Sequence, residues 1–298
     1  MGKFRNEIIH TLFLSCKNSE LCIYPMSVFV ASLNSGSNGN CYYVGNDTEA
    51  VLIDAGISCR EIEKRMKRCG LRMELVKAVF ISHEHSDHIR GVETLVKKFQ
   101  LPLYITEATL NNSRLRPQVE LVRSFTSNMP VLIGKLVITP FPKSHDAADP
   151  FSFVIEHEGV KAGVFTDIGY SCENLKYHFS QCHAAFLEAN YDEKMLEEGD
   201  YPFYLKKRIR SDKGHLSNDQ SLELFQKHRA DHLSLLILSH LSKHNNSPEL
   251  VHDLFNAHAG NTTVTVASRY QESSVYHVSG KALSQKNVKQ DSFQTSLF

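Results

Sequence analysis

Apolar and polar positions along this chain follow two alternating rhythms. Short apolar runs of strand length are interleaved with stretches whose apolar residues recur at helical spacing. VFVASL (28–33) and CYYVGN (41–46) flank the polar loop NSGSNGN, and AVLIDAG (50–56) follows. Ser58 and Glu61 have the spacing of a capping box, which predicts a helix running to a stop at Gly70. AVFIS (78–82) reads as a buried strand, 89–99 as a helix and PLYIT (102–106) as a strand. The second half begins again with strands. VLIGKLVITPF (131–141) and FSFVIEHEGVKAGVFTD (151–167), turning at Glu158-Gly159, predict antiparallel ribbons. AAFLEAN (184–190) and LSLLILSH (233–240) are strands with helices between them. Ser217 with Gln220 predicts a second capping box before a helix over 218–229. Ser247-Pro248-Glu249 is a further helix start, and TTVTVAS (262–268) and VYHV (275–278) close the pattern. The whole predicts an α/β (α+β) chain of two β-rich halves, with mixed sheets packed face to face and helices outside.

Domain organisation follows from where this rhythm starts and stops. Residues 1–25 are unlike the rest and read as an N-terminal extension outside the fold. Met26, directly before the first convincing strand, is then a second candidate start of translation. The folded unit is expected over 26–280, and the tail 281–298 is polar and expected to be disordered. No low-complexity linker divides the unit.

Composition narrows the class less than the pattern does. Thirty-three basic residues balance thirty-three acidic ones, so any nucleic-acid surface must be local. The longest apolar runs are strand-sized, far short of the roughly 18 residues that cross a bilayer, and no membrane role is expected. Seven cysteines, 16, 22, 41, 59, 69, 172 and 182, form no C-x-x-C pair. They read as reduced thiols in a cytoplasmic protein.

The chemistry concentrates in VFISHEHSDHIRG (79–91). His83, His85, Asp87 and His88 stand in six positions at the mouth of a strand. Imidazole and carboxylate together suit Zn, Mn or Fe, and two ligand groups at one strand end suit two ions. One loop cannot close two coordination spheres, so further ligands must arrive from other strand ends. His145 after ITPFPKS, Asp167 after KAGVFT and His240 after LSLLILS stand at such places.

This constellation resembles the metallo-β-lactamase fold superfamily, whose H-x-H-x-D-H signature His83 to His88 match in full. The resemblance covers about 28–280 and implies a four-layered αβ/βα sandwich. It implies that His83, His85 and His145 hold a first divalent ion, and that Asp87, His88 and His240 hold a second. Asp167 would bridge the two, and Asp54 would support the metal loop. Such a pair would hold a hydroxide between the ions as nucleophile, with Asp87 part of the catalytic centre. FLEANYD and GHLSND resemble the phosphodiesterase branch of the superfamily. By that likeness Glu188 would orient His215, which would protonate the leaving alkoxide or steady a phosphate oxygen.

Only 21 residues separate His145 from Asp167 and 72 separate Asp167 from His240. These spans are too short for a tRNA-gripping arm or for the inserted domain of β-CASP nucleases. The opening SLNSGSNGNCYYV, with SHEHSDH, LEANYD, GHLSN and SHLS, is similar to the bacterial YycJ/WalJ family, which implies 5′-to-3′ exonuclease action on DNA. The alternative is a small-molecule hydrolase, acting on a cyclic phosphate or, like glyoxalase II, on a thioester. A third reading keeps the metals in an idle scaffold. For a DNA end, Ser35, Ser37, Asn38 and Asn40 of the polar loop offer either a phosphate nest or an ordinary tight turn. Lys206, Lys207 and Arg208 offer backbone contacts, and Tyr204 beside them offers a stacking ring.

Overall fold

In the computed structural model, which describes residues 27–280, the strands assemble into two seven-stranded sheets. The first takes β1 (Ser27–Asn34), β2 (Cys41–Gly45), β3 (Ala50–Ile53), β4 (Val76–Phe80), β5 (Leu103–Tyr104) and β6 (Val122–Arg123). The second takes β7 (Val131–Ile133), β8 (Leu136–Pro142), β9 (Phe151–His157), β10 (Val160–Phe165), β11 (Ala184–Glu188), β12 (Leu235–Ser239) and β13 (Thr263–Val266). The last strand, β14 (Tyr276–Ser279), leaves the second half and pairs antiparallel with β1 on the first sheet. The proposed extension 1–25, Met26, Cys16, Cys22 and the tail from Lys281 lie outside the described residues.

Each sheet begins antiparallel and continues parallel. β1–β2–β3 and β7–β8–β9–β10 are meanders, whereas β3–β4–β5–β6 and β10–β11–β12–β13 run parallel. Parallel neighbours need crossovers, and helices supply most of them. α1 (Cys59–Arg68), α2 (Ser86–Ile89), α3 (Val92–Phe99) and α4 (Glu107–Asn112) follow strands of the first sheet. α5 (Glu173–Phe179), α6 (Glu193–Glu198), α7 (Phe203–Ile209), α8 (Asn218–His228) and α9 (Pro248–Asn256) belong to the second.

Three apolar layers hold these elements together. Between the sheets, Tyr42, Val44, Ile53 and Phe80 meet Phe153, Ile155, Phe186 and Ile237. Outside the first sheet, Leu52, Val79 and Ile81 pack under Ile62, Met66, Leu95 and Val96 of α1 and α3. Outside the second, Leu187, Leu236 and Leu238 pack under Leu175, Phe179, Phe225 and Phe255. Strands buried on both faces read as continuous apolar runs, which is why AVLI and LLILS lack alternation. The result is the four-layered αβ/βα sandwich.

The structure corrects two local expectations. The helix expected over 89–99 begins earlier and is divided into α2 and α3, because the Gly91 N–H is drawn to the Ala55 carbonyl at 2.8 Å. The Ser58 box forms only in part: its side chain accepts from the Glu61 N–H, but the Glu61 carboxylate turns to Lys64 and Arg65. The Ser217–Gln220 box forms in both directions. The described cysteines Cys41, Cys59, Cys69, Cys172 and Cys182 are free thiols. No helix among the described residues is long and apolar enough to cross a membrane.

Candidate metal centre and catalytic pair

Loops at the ends of the central strands of both sheets converge on one edge of the sandwich. Three of the residues placed there, Asp54 after β3, Asp167 after β10 and His240 after β12, have left-handed backbones with φ of 62°, 56° and 57°. Non-glycine residues rarely adopt this conformation, and they do so where surrounding structure holds a functional turn. Close approach completes the edge. A Cβ on Gly56 would lie 1.7 Å from the Asp87 carbonyl oxygen, so only glycine lets loop 54–57 press against the histidine loop. Asn40 ties the two, its N–H donating to the Asp87 carbonyl at 2.7 Å and its own carbonyl accepting from Gly56 at 2.8 Å.

Two ligand groups result. In the first, a nitrogen from each of His83, His85 and His145 lies within 4.8 Å of the others, and His83 Nε2 is 3.1 Å from His85 Nδ1. His145 Nδ1 faces the Gly214 carbonyl at 3.0 Å, which aims Nε2 into the site. In the second, Asp87 Oδ2 lies 3.6 Å from His88 Nε2 and 3.6 Å from His240 Nε2. Asp167 spans the groups. Its Oδ2 is 3.2 Å from His88 Nε2, and its Oδ1 is 3.4 Å from His240 Nε2 and 3.8 Å from His145 Nε2. Tetrahedral bonds of about 2.1 Å separate ligand atoms by about 3.4 Å. The spacings around Asp167 therefore fit donors that could surround a cation.

The donor chemistry passes the same test. Asp54, Asp87, Asp167 and Glu188 bring four carboxylates into one largely dry region, and buried carboxylates require pairing. Despite these close contacts, Asp167 Oδ2 and His240 Nε2 are buried and make no well-directed hydrogen bond, as atoms aimed at an ion would not. Burial, together with nearby His88 and Lys143, pulls His83 well below the usual imidazole range. Burial likewise lowers His145, to about 4, so both rings offer free lone pairs. For His88 and His240 burial acts in the same direction but is outweighed by the carboxylates, with Asp167 foremost. His88 is raised, and His240 reaches about 10. A nitrogen-and-oxygen set of this kind fits divalent Zn, Mn or Fe.

Supporting residues fix each ligand. Asp54 is fully buried and accepts from the Ser82 N–H and hydroxyl, both at 2.8 Å, while its Oδ2 sits 2.7 Å from His88 Nδ1. That carboxylate orients His88 so that Nε2 points inward. Glu188, the last residue of β11, serves two rings. Its Oε1 is 2.8 Å from His215 Nδ1 and 3.0 Å from His240 Nδ1, and its Oε2 accepts the Ile168 N–H at 2.7 Å. Burial opposes its charge, but His215 and His240 prevail and hold its pKa down to about 2. His215 remains partly open, which leaves Nε2 free to meet a substrate.

The residues expected to touch substrate are not all placed alike. Ser37 and Asn38 are exposed at the loop tip. Ser35 and Asn40 are buried and work inward instead. Ser35 Oγ meets the Tyr42 hydroxyl at 2.8 Å and accepts the His240 N–H at 2.8 Å, while Asn40 Nδ2 reaches Asp87 Oδ2 and His88 Nε2. The Gly36 and Gly39 N–H groups are also used within the loop, which favours the tight-turn reading over a phosphate nest. On α7, Lys207 and Tyr204 are exposed, with Phe203 beside them. Lys206 turns to the Glu197 carbonyl, and Arg208 forks onto Asp146, the neighbour of His145. Sequence reasoning missed Lys143 and Asn190. Lys143 is buried with Nζ 2.6 Å from the Thr166 carbonyl, and Asn190 Nδ2 donates to the His240 carbonyl at 2.7 Å. Lys143 lies two residues before His145 at the end of an apolar run, a place where a lysine needs a buried reason.

Residues 49–240 match the family described as the Beta-lactamase superfamily domain. The chain is 34% identical over 228 residues to the exodeoxyribonuclease YycJ of Bacillus anthracis, covering 76% of this chain and 86% of that protein. It is also 34% identical over 225 residues to the exodeoxyribonuclease WalJ of Streptococcus pneumoniae, covering 74% and 84%. Among solved structures, the fold is similar to that of the metallo-β-lactamase fold protein YhfI from Bacillus subtilis. The TM-score is 0.66 at 16% identity, over 84% of this chain and 99% of that one. It is similar too to human tRNase Z, short form, with a TM-score of 0.57 at 16% identity over 83% and 99%.

Proposed function

From the premise that this chain belongs to the metallo-β-lactamase superfamily, in the family of the YycJ and WalJ exodeoxyribonucleases, and is a metal-dependent hydrolase, we propose that it is a dinuclear phosphodiesterase that shortens DNA from its ends in the 5′-to-3′ direction. The observation that carries this reading is the Glu188 carboxylate shared between His215 and His240. It couples a partly open imidazole to the second ligand group, an arrangement suited to splitting an ester whose leaving group needs a proton.

His83, His85 and His145 would hold one ion, and Asp87, His88 and His240 the other, with Asp167 between them. Divalent ions bound there supply a nucleophile at neutral pH and offset charge on the phosphoryl oxygens. The chain's own residues do the rest. Asp54 and Glu188 fix the imidazole orientations through Nδ1. His215 Nε2 donates to the leaving oxygen or to a phosphate oxygen, and the Glu188 carboxylate stabilises the ring when it is charged. Exposed Lys207, Tyr204 and Phe203 lie on the helix that Arg208 docks against Asp146, so they flank the site as contacts for the strand. The free thiols of the described cysteines agree with a cytoplasmic setting.

The test is digestion of duplex DNA, labelled at one 5′ or one 3′ end, by the purified protein with Mn²⁺ and with Zn²⁺. Early release of the 5′ label, stopped by chelation, is expected. Turnover of bis(p-nitrophenyl) phosphate alone, with duplex intact under every metal, would replace this reading with a small-molecule phosphodiesterase.

A further inference from the structure

One pocket next to the metal centre carries cations that no described carboxylate uses. It has a volume of about 230 Å³ and lies between the segment that follows His240 and the segment that follows β13. Leu241, Ser242 and Lys243 line one side, and Ala267 to Tyr270 the other. Its link to the catalytic edge is direct. Ser35 lines it too, while holding the His240 N–H at 2.8 Å. Its volume is too large for a single water and lies just under the roughly 300–1,000 Å³ of small-molecule pockets, room for part of a ligand with the rest at its open mouth.

The cation at its heart is Arg269. The guanidinium is half-buried, and its Nη2 is spent on the Leu241 carbonyl at 3.1 Å. No ion pair to Arg269 occurs among the described residues, and burial pulls its pKa down. A guanidinium has five donors in a planar fork suited to phosphate, and this half-buried one, with a single described bond and no counter-ion, keeps most of that capacity for a ligand. The space it occupies is kept open by the loop opposite, since a Cβ on Gly36 would lie 2.7 Å from Nη2. Lys243 is exposed at the rim, also without an ion pair among the described residues. Tyr270, 71% exposed, offers a ring face at the mouth. Beyond it, Tyr201 meets His244, the neighbour of Lys243, with ring centroids 6.1 Å apart, which continues the aromatic surface toward α7.

We infer that this pocket seats the terminal nucleotide of the strand being shortened, with its 5′-phosphate on Arg269 and Lys243 and its base against Tyr270. The inference rests on the nuclease reading above and adds to it a reason for starting at an end. A site that grips a terminal phosphate and presents the next phosphodiester to the metal edge favours ends over interior bonds.

The experiment compares duplexes that differ only in a 5′-phosphate or a 5′-hydroxyl, digested with Mn²⁺ by the whole protein. The unaltered protein is expected to prefer the phosphorylated end by about tenfold or more in kcat/KM, the effect of one charged hydrogen bond. Arg269→Gln is expected to bring that ratio close to one. Lys243→Gln, at an exposed position where folding is not at stake, is expected to lower it by a smaller factor. Thermal melting checks that Arg269→Gln is folded; should it not be, the ratio in Lys243→Gln decides. Equal digestion of both ends by the unaltered protein, or an undiminished preference in the folded variants, overturns the seating and leaves the nuclease reading standing. Failure to digest either duplex overturns both.

Discussion

Replacing Glu188 by glutamine separates the roles assigned to this edge, because the substitution keeps shape and removes charge. The carboxylate is fully buried, and four groups face its two oxygens: His215 Nδ1 at 2.8 Å, His240 Nδ1 at 3.0 Å, the Ile168 N–H at 2.7 Å and the Leu216 N–H at 3.3 Å. An amide has one accepting oxygen. Its NH₂ must therefore oppose either the two rings or the two backbone donors, leaving two charge-assisted bonds broken at about 1.5–3 kcal/mol each. If the backbone pair keeps the oxygen, both imidazoles lose their orienting partner. The expected result is a rate about 10²- to 10⁴-fold lower, the span of a positioned general acid, with metal affinity about 10- to 100-fold weaker through His240. His215→Ala should lower the rate over the same span while metal affinity stays as before. Because Glu188 acts on the rate through His215, the double variant should be little slower than the slower single one. The assay is single-turnover digestion of end-labelled duplex across a Mn²⁺ titration. Glu188→Gln with ordinary rate and affinity, or rate losses that multiply in the double variant, would refute the coupling.

Three further outcomes are expected. Asp167→Ala removes the carboxylate that faces His88, His145 and His240, so metal analysis of the purified variant should find fewer than two equivalents; two retained equivalents would refute the bridging role. Gly56→Ala forces a Cβ onto the Asp87 carbonyl and should cost about 1–3 kcal/mol or more in urea melts, whereas Gly70→Ala, with open space around it but a φ of 68°, should cost about 1 kcal/mol. His183 has its pKa lowered to about 4, by burial first and then by His232, and its Nδ1 accepts the Lys161 N–H at 3.2 Å. Its folded pKa lies below the unfolded value of about 6.5, so the unfolded chain takes up the proton first. Stability is full above pH 6.5 and falls as pH drops toward 4, by roughly 1 kcal/mol after discounting for a half-buried ring; in His183→Gln that part of the slope should vanish.

The fold was legible wherever local chemistry decides it. Buried strands announce themselves as unbroken apolar runs, and the Ser217–Gln220 and Ser247–Pro248 signals mark helix starts that the structure keeps. What could not be read is set by distant partners. VYHV is an unremarkable strand in the sequence, and nothing in it says that it crosses back to pair with β1, some 250 positions earlier. The break between α2 and α3 belongs to the same class, since it is imposed by the Ala55 carbonyl rather than by any helix-stopping residue at the gap other than Gly91.

At the site, one rule of geometry did most of what the sequence allowed. Side chains that must converge from many strands do so at strand ends, so His145, Asp167 and His240 could be singled out by position, Glu188 by the likeness of FLEANYD to the phosphodiesterase branch, and the structure brings them to the loop of His83 to His88. The same rule cannot tell a residue that faces substrate from one that faces the ligands. Ser35 and Asn40 are polar loop residues in the text, yet in the fold one carries the His240 amide and the other spans Asp87 and His88. Only the φ of their neighbours and the depth of the loop decide between these tasks. Arg269 shows the converse. It belongs to no motif, and its chemistry appears only when Gly36, more than 200 residues away, is found to leave room for its guanidinium. A motif scan is therefore blind to the part of the molecule that would choose which end of a strand is cut, and it is there, rather than at the metal ligands, that members of one fold diverge in what they act upon.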